Sequence, residues 1–306
     1  MTKKTSLIDS IITDIEESRL LALVKSSFKS WYTHWPWILL SVLVDFLFLV
    51  SVSTVITLIQ FTLFEHLEQL MTMMGEATGG LMNVYNDTAT VSAGIMGTAS
   101  SLDFQYHLGV IFKYLGIMVL SSFALWMVFQ GISWYIAYRM STDKNRLPFI
   151  IYWKNFALES VPFYLVSILL LFLYIRILFS IKMSMSPMLG TQGLDFFFVL
   201  LVVVTWYFGA LCYSLTERHA YKNFKQCFVY GIKRFTKTIQ SFIFIAVVFF
   251  MIDLILRIGF IRNDAFVIMV VGTLLFMPAV VFAKILLYRT AQEYWPAPPL
   301  KSKTHK

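Results

Sequence analysis

Six long apolar runs decide what this chain of 306 residues can fold into: residues 37–64, 114–138, 161–181, 196–215, 239–259 and 265–287. A bilayer's hydrocarbon core accepts about 20 apolar residues of α-helix, and a run of about 18 marks a candidate span. A single water-soluble core cannot hide so much apolar surface. Residues of the set AVILMFWYC make up 58% of the chain and charged residues 14%, against about 45–50% and about 25% in soluble domains. That balance excludes a secreted or cytosolic enzyme, a disordered chain and a disulfide scaffold. Unsatisfied backbone groups are too costly in hydrocarbon, so the runs are expected to be helices. The period-two alternation of a β-barrel is absent.

The expected fold class is therefore all-α: a polytopic membrane bundle of six transmembrane helices, arranged as three hairpins, with an amphipathic interfacial helix at the amino terminus. Residues 1–36 form the cytoplasmic amphipathic segment and residues 37–288 the transmembrane domain, with an external loop at 65–107. A cytoplasmic tail follows at 289–306. The first run starts behind charged amphipathic sequence without a small-residue cleavage site, so it is read as a retained signal-anchor.

Charge order predicts orientation. Of the 25 Lys and Arg residues, five lie before residue 37, four in 139–154, six in 218–237 and five in 284–306. The stretch 65–107 holds none. The positive-inside rule then puts both termini in the cytoplasm of a cell-membrane protein. Lys25, Lys29, Arg146, Lys154, Lys233, Arg234 and Lys237 become candidate contacts to anionic lipid headgroups. Trp31, Trp35, Trp37, Tyr152, Trp153, Tyr288, Tyr294 and Trp295 cluster beside them as interfacial belts. This setting accounts for the net charge of +8 without nucleic acid.

Leu7, Ile8, Ile11, Ile12 and Ile15 make one helical stripe, and Leu20, Leu21, Val24, Phe28 and Trp31 a second. Both fit a helix lying on the membrane surface, or one docked on another helix or a partner. Basic, aromatic lead-ins at 25–35, 146–156 and 222–235 precede the odd spans, and Arg139, Arg218 and Arg289 close the even ones. A threefold hairpin repeat is expected from that spacing. The loop 65–107 reads as helical extensions of the first two spans, joined by a small-residue turn region at 75–97. It contains a formal N-glycosylation triplet at Asn86.

Ionisable residues inside spans are functional candidates because lipid makes them expensive. Asp45, Arg176, Asp253 and Arg257 form the candidate intramembrane polar network. Asp253 and Arg257 share a helix face at i, i+4, and Arg176 can snorkel or reach Asp253. Glu159 and Lys284 read as boundary residues. Ser53, Thr57 and Gln60 suit interhelical hydrogen bonding. Gly131 and Pro278 interrupt the second and sixth spans and suggest kinks. If the ends of the external loop meet, His66 and His107, with Glu65, Glu68 and Asp103, would present donors to a divalent cation. Cys212 and Cys227 read as ordinary thiols. No GxSxG, HExxH, Walker or dinucleotide motif occurs, so no catalytic, metal-binding or cofactor-binding residue is assigned, and a non-enzyme is expected.

The lead-in Ser27-Phe28-Lys29-Ser30-Trp31, followed by a long hairpin and repeated along the chain, resembles six-helix prokaryotic membrane proteins. These are related to the membrane domain of glycerophosphodiester phosphodiesterases. The likeness covers most of the chain and rests on architecture. It implies a fold and a membrane setting but carries over no catalytic residue, since no soluble stretch here is long enough for the phosphodiesterase domain. The expected function is a non-enzymatic scaffold or accessory protein contacting anionic lipid, a protein partner or a second copy. The alternative is a small-solute or lipid transporter using the Asp/Arg set.

Overall fold

The computed structural model describes residues 19–82, 101–142, 147–183, 191–216, 220–261 and 271–294. Helix α1 covers residues 19–33. It is followed by α2 (Trp35–Met82), α3 (Leu102–Leu125), a π-helical turn (Trp126–Gln130) and α4 (Gly131–Ser141). Next come α5 (Phe149–Met183), α6 (Thr191–Ser214), α7 (Ala220–Lys233) and α8 (Phe235–Ile261). A second π-turn (Gly272–Phe276) leads into α9 (Met277–Tyr294). Among the described residues there is no strand.

Six stretches are long and apolar enough to cross a bilayer: Trp35–Glu76, Leu102–Ser141, Phe149–Ile177, Gly193–Ser214, Phe235–Arg257 and Gly272–Tyr294. The protein is an all-α, multi-pass membrane bundle. Its first two spans are helical well beyond hydrocarbon length, at 42 and 40 residues, as expected for the external loop. The expected turn region does not begin at Gly75, however, because α2 runs through it to Met82. A helix-interior glycine costs only about 1 kcal/mol relative to alanine, which neighbouring Leu and Met can offset. Asn86 lies outside the described residues. Ser101 starts α3: its hydroxyl accepts the Phe104 N–H at 3.2 Å, an N-cap with Asp103 in the first turn.

Gly131 and Pro278 sit where the helix geometry changes, as the sequence suggested, but the change is a widened turn just before each. Pro278 has no N–H to donate, and the π-turn ends at Phe276, two residues earlier. Gly131 follows the other π-turn and is needed for close approach. A Cβ there would stand 2.7 Å from Trp153 Cδ1 on α5.

Burial repeats in the three hairpins. Each lead-in buries one face at i, i+4, i+7 or i+8 spacing: Leu23, Ser27, Ser30; Tyr152, Phe156, Glu159; Asn223, Cys227, Gly231. The first and third lead-ins end in the same turn. Trp37 N–H and Ile38 N–H both donate to His34 O, and Lys237 N–H and Thr238 N–H both donate to Arg234 O. Beyond these turns Ile38 and Ser41, and likewise Thr238 and Ser241, are buried. The middle lead-in is instead continuous with its span in α5, entered through Pro148, whose carbonyl accepts the Tyr152 N–H at 3.1 Å.

Helix α1 has the polarity of a membrane element. It turns Ser27 and Ser30 inward and leaves Leu21 67% and Phe28 56% exposed. Small residues permit close helix contact, and apolar side chains are stable against lipid. Ser30 Oγ donates to Met140 O at 2.6 Å, satisfying a carbonyl in the last turn of α4.

Two compact units divide the chain: residues up to Phe46 together with those from Phe129 onward, and Leu47–Val128. In the first, α9 packs on α4, α6 and α8, while α5 packs on α4, α6 and α7. The second contains the later part of α2 and the length of α3. Phe48 and Trp126 meet edge to face there, with centroids 5.8 Å apart. His66 Nδ1 and His107 Nδ1 share a hydrogen bond at 2.8 Å.

Candidate functional site

The chemically densest part of the bundle is a closed polar cluster in the first unit. Asp45, on α2, lies one turn after Ser41. Lys284 comes from α9, Gln130 ends the first π-turn, and Ser133 belongs to the first turn of α4. All five side chains are buried. Lys284 Nζ stands 3.1 Å from both Asp45 oxygens, 3.0 Å from Gln130 Oε1 and 2.5 Å from Ser133 Oγ. Gln130 Nε2 donates to Asp45 Oδ1 at 3.0 Å, and Ser133 Oγ donates to Oδ2 at 3.1 Å.

Donor counting closes this network. The Ser133 proton goes to Asp45, so its oxygen accepts from Lys284 and from Ser41 Oγ at 2.9 Å. The ammonium's three donors face Asp45, Gln130 and Ser133. Its charge also lies 5.9 Å from the centre of the Trp134 ring, within range of a cation–π attraction. A buried pair is tolerated when extra hydrogen bonds satisfy what the pair leaves over. Gln130 and Ser133 do that here.

A second polar centre surrounds Glu159 on α5. Thr216 Oγ1 donates to Oε2 at 2.8 Å and Asn223 Nδ2 to Oε1 at 2.6 Å, tying α5 to the end of α6 and to α7. Between the two centres lies an aromatic layer. The hydroxyls of Tyr152 and Tyr288 hydrogen-bond each other. Tyr288 Oη donates to Tyr213 O at 2.9 Å, so the shared proton belongs to Tyr152. Tyr138 stacks on Tyr152 with centroids 5.3 Å apart.

The expected intramembrane network is not one network. Asp45 bonds Lys284, Gln130 and Ser133, whereas Asp253 bonds Arg257 within α8 at 2.7 Å on an exposed face. Arg176 is exposed on α5. Lys284 and Glu159, read from the sequence as boundary residues, are instead buried centres. The sequence did hold a signal for Lys284. It stands five residues before Arg289 and Asp45 eight after Trp37, so opposite charges lie at similar depth from one edge.

Of the candidate headgroup contacts, Lys25, Lys29, Lys154, Lys233 and Arg234 are exposed and Lys237 is half-buried. Arg146 lies outside the described residues. Arg234 Nη1 also donates to Tyr294 O at 2.6 Å, and Lys237 Nζ stands 5.9 Å from the Tyr294 ring centre. His66 and His107 do meet, but among the described residues no group of three or more His, Cys, Asp or Glu is placed to hold a metal ion. No protein-family model, curated protein or solved structure matches the chain.

Proposed function

We propose that the protein resides in the cell membrane with both termini in the cytoplasm, and acts as a non-enzymatic accessory or scaffold. Its basic face holds anionic lipid or a protein partner, and nucleic acid plays no part. One observation carries this reading. The ionisable residues buried in the spans are satisfied inside the bundle, Asp45 by Lys284 with Gln130 and Ser133 filling the remaining bonds and Glu159 by Thr216 and Asn223, while lysines such as Lys25 and Lys154 stay exposed. Charge saturated in the interior and open at the rim suits holding rather than conducting. The resemblance to the phosphodiesterase membrane domain, as read from the sequence, implies a membrane setting and carries no catalysis with it.

Transport is the second reading. Its support is that Gln130 both ends a π-turn and bonds the buried pair, and π-turns gather at functional sites. Photo-crosslinkers at the exposed Tyr32 and Tyr221, used in intact cells, decide between the two. Reproducible capture of a lipid or one partner protein is expected. Capture of neither, with ion or solute flux in reconstituted vesicles that vanishes in D45L/K284M, would refute the scaffold.

A further inference from the structure

Helices α1, α8 and α9 enclose an open groove of about 580 Å³. Phe28 and Trp31 wall it on one side, Phe244 and Val248 on another and Phe282 on the third, and Lys25 is the one lining residue that is not apolar. The Trp31 indole N–H is already spent on Pro278 O at 3.3 Å, so the walls offer a ligand hydrocarbon contact only. The Lys25 ammonium is different. It is exposed, and among the described residues it has no ion-pair or hydrogen-bond partner.

We propose that this groove is a binding site for one glycerophospholipid with an anionic headgroup: an acyl chain lies along Phe28, Phe244 and Phe282, and Lys25 takes the phosphate. Charge complementarity selects the headgroup. Residues 19–33 carry Arg19, Lys25 and Lys29 and no Asp or Glu, and residues 277–289 carry no acid either. Lys29 lies one turn from Lys25 on the same helix and is exposed, placing a second cation beside the rim. An amphiphile with hydrocarbon at one end and negative charge at the other matches both parts at once. The proposal rests on the lipid-holding reading above and narrows it to a single site.

The test is native mass spectrometry of the full-length protein extracted in mild detergent, titrated with phosphatidylglycerol or phosphatidylcholine. One phosphatidylglycerol should be retained in preference to phosphatidylcholine. Lys25→Gln should weaken that retention about fivefold, the equivalent of about 1 kcal/mol for one lysine near an anionic headgroup. Ala279→Phe, which fills the groove from α9, should remove retention of both lipids. Lys222→Gln with Lys225→Gln on α7, away from the groove, should leave it unchanged. Equal loss in the α7 variant overturns the groove while leaving general lipid contact intact. Absence of any anionic preference in the wild type overturns both readings. A protein or a second copy released by Ala279→Phe in place of lipid also overturns the site.

Discussion

Lys284→Met leaves the Asp45 carboxylate buried, with Gln130 Nε2 and Ser133 Oγ as its remaining donors at 3.0 and 3.1 Å. Asp45→Leu leaves the ammonium on Gln130 Oε1 and Ser133 Oγ. Removing one member of a buried pair costs about 3–5 kcal/mol, so independent effects would sum to ~6–10 kcal/mol in the double variant. The double variant leaves no orphaned charge. It strands the two ends of the Gln130 amide, at about 1–3 kcal/mol each, while the Ser133 hydroxyl loses its carboxylate acceptor and must turn to a carbonyl of its own helix. Adding Gln130→Leu removes that amide too, and an apolar replacement of a buried ion pair is close to neutral. The double variant should therefore cost well under the additive sum, and the triple should recover stability relative to the double, opposite to ordinary accumulation of damage. Reversible SDS unfolding in mixed micelles, followed by tryptophan fluorescence, measures it. Trp134 lies 5.9 Å from the ammonium and serves as a local reporter. Singles within about 1 kcal/mol of wild type, or losses that simply add, would show that the two side chains are not coupled.

Glu159→Leu should destabilise by about 1–3 kcal/mol in the same titration, because Asn223 Nδ2 loses this acceptor while Thr216 Oγ1 keeps Tyr213 O at 2.7 Å; Glu159→Gln, whose amide oxygen can still accept from Asn223, should lose less. Gly131→Ala should cost about 1–3 kcal/mol by thermal unfolding, since its Cβ would meet Trp153 at 2.7 Å, whereas Gly272→Ala, with open space around it, sets the baseline. For orientation, a cysteine at Glu68 should react with membrane-impermeant maleimide from outside whole cells and one at Tyr221 only after permeabilisation; the reverse order inverts the topology. Native Cys212 and Cys227 are buried and contribute little background.

Much of the fold was legible because hydropathy averages over a helix and needs no knowledge of its faces. That average located six spans and the helical reach of the first two. The i, i+4 rule likewise predicted Asp253 with Arg257, a contact that depends on one helix alone. Contacts between helices were less accessible. Lys284 sits close enough to a span end for its stem to snorkel, and only the packing of α9 against α4 reveals that its head turns inward. Glu159 was missed for the same reason: α6 and α7 cover it from elsewhere in the sequence. The second apolar stripe of α1 was recognised, but its sense depends on solvent. Against lipid, Phe28 faces out and Ser27 packs inward.

The hairpin spacing explains why, among the described residues, a buried ammonium occurs once. Counting five residues back from Arg139, Arg218 and Arg289 gives Trp134, Tyr213 and Lys284, one from each even span. These three positions converge. Trp134 and Tyr213 have ring centroids 5.5 Å apart, and the Lys284 ammonium lies 5.9 Å from the Trp134 ring centre. Equivalent positions that meet cannot all carry like charge, because each buried ammonium needs its own carboxylate and a second would repel the first. Two aromatic rings and one cation resolve the crowding, and the single cation requires a single acid. Asp45 meets that need from the first odd span, while the corresponding place two hundred residues on is Ile245, also buried. A repeated backbone with unequal side chains at its centre thus confines the strongest electrostatic coupling to the contact between the first and third hairpins.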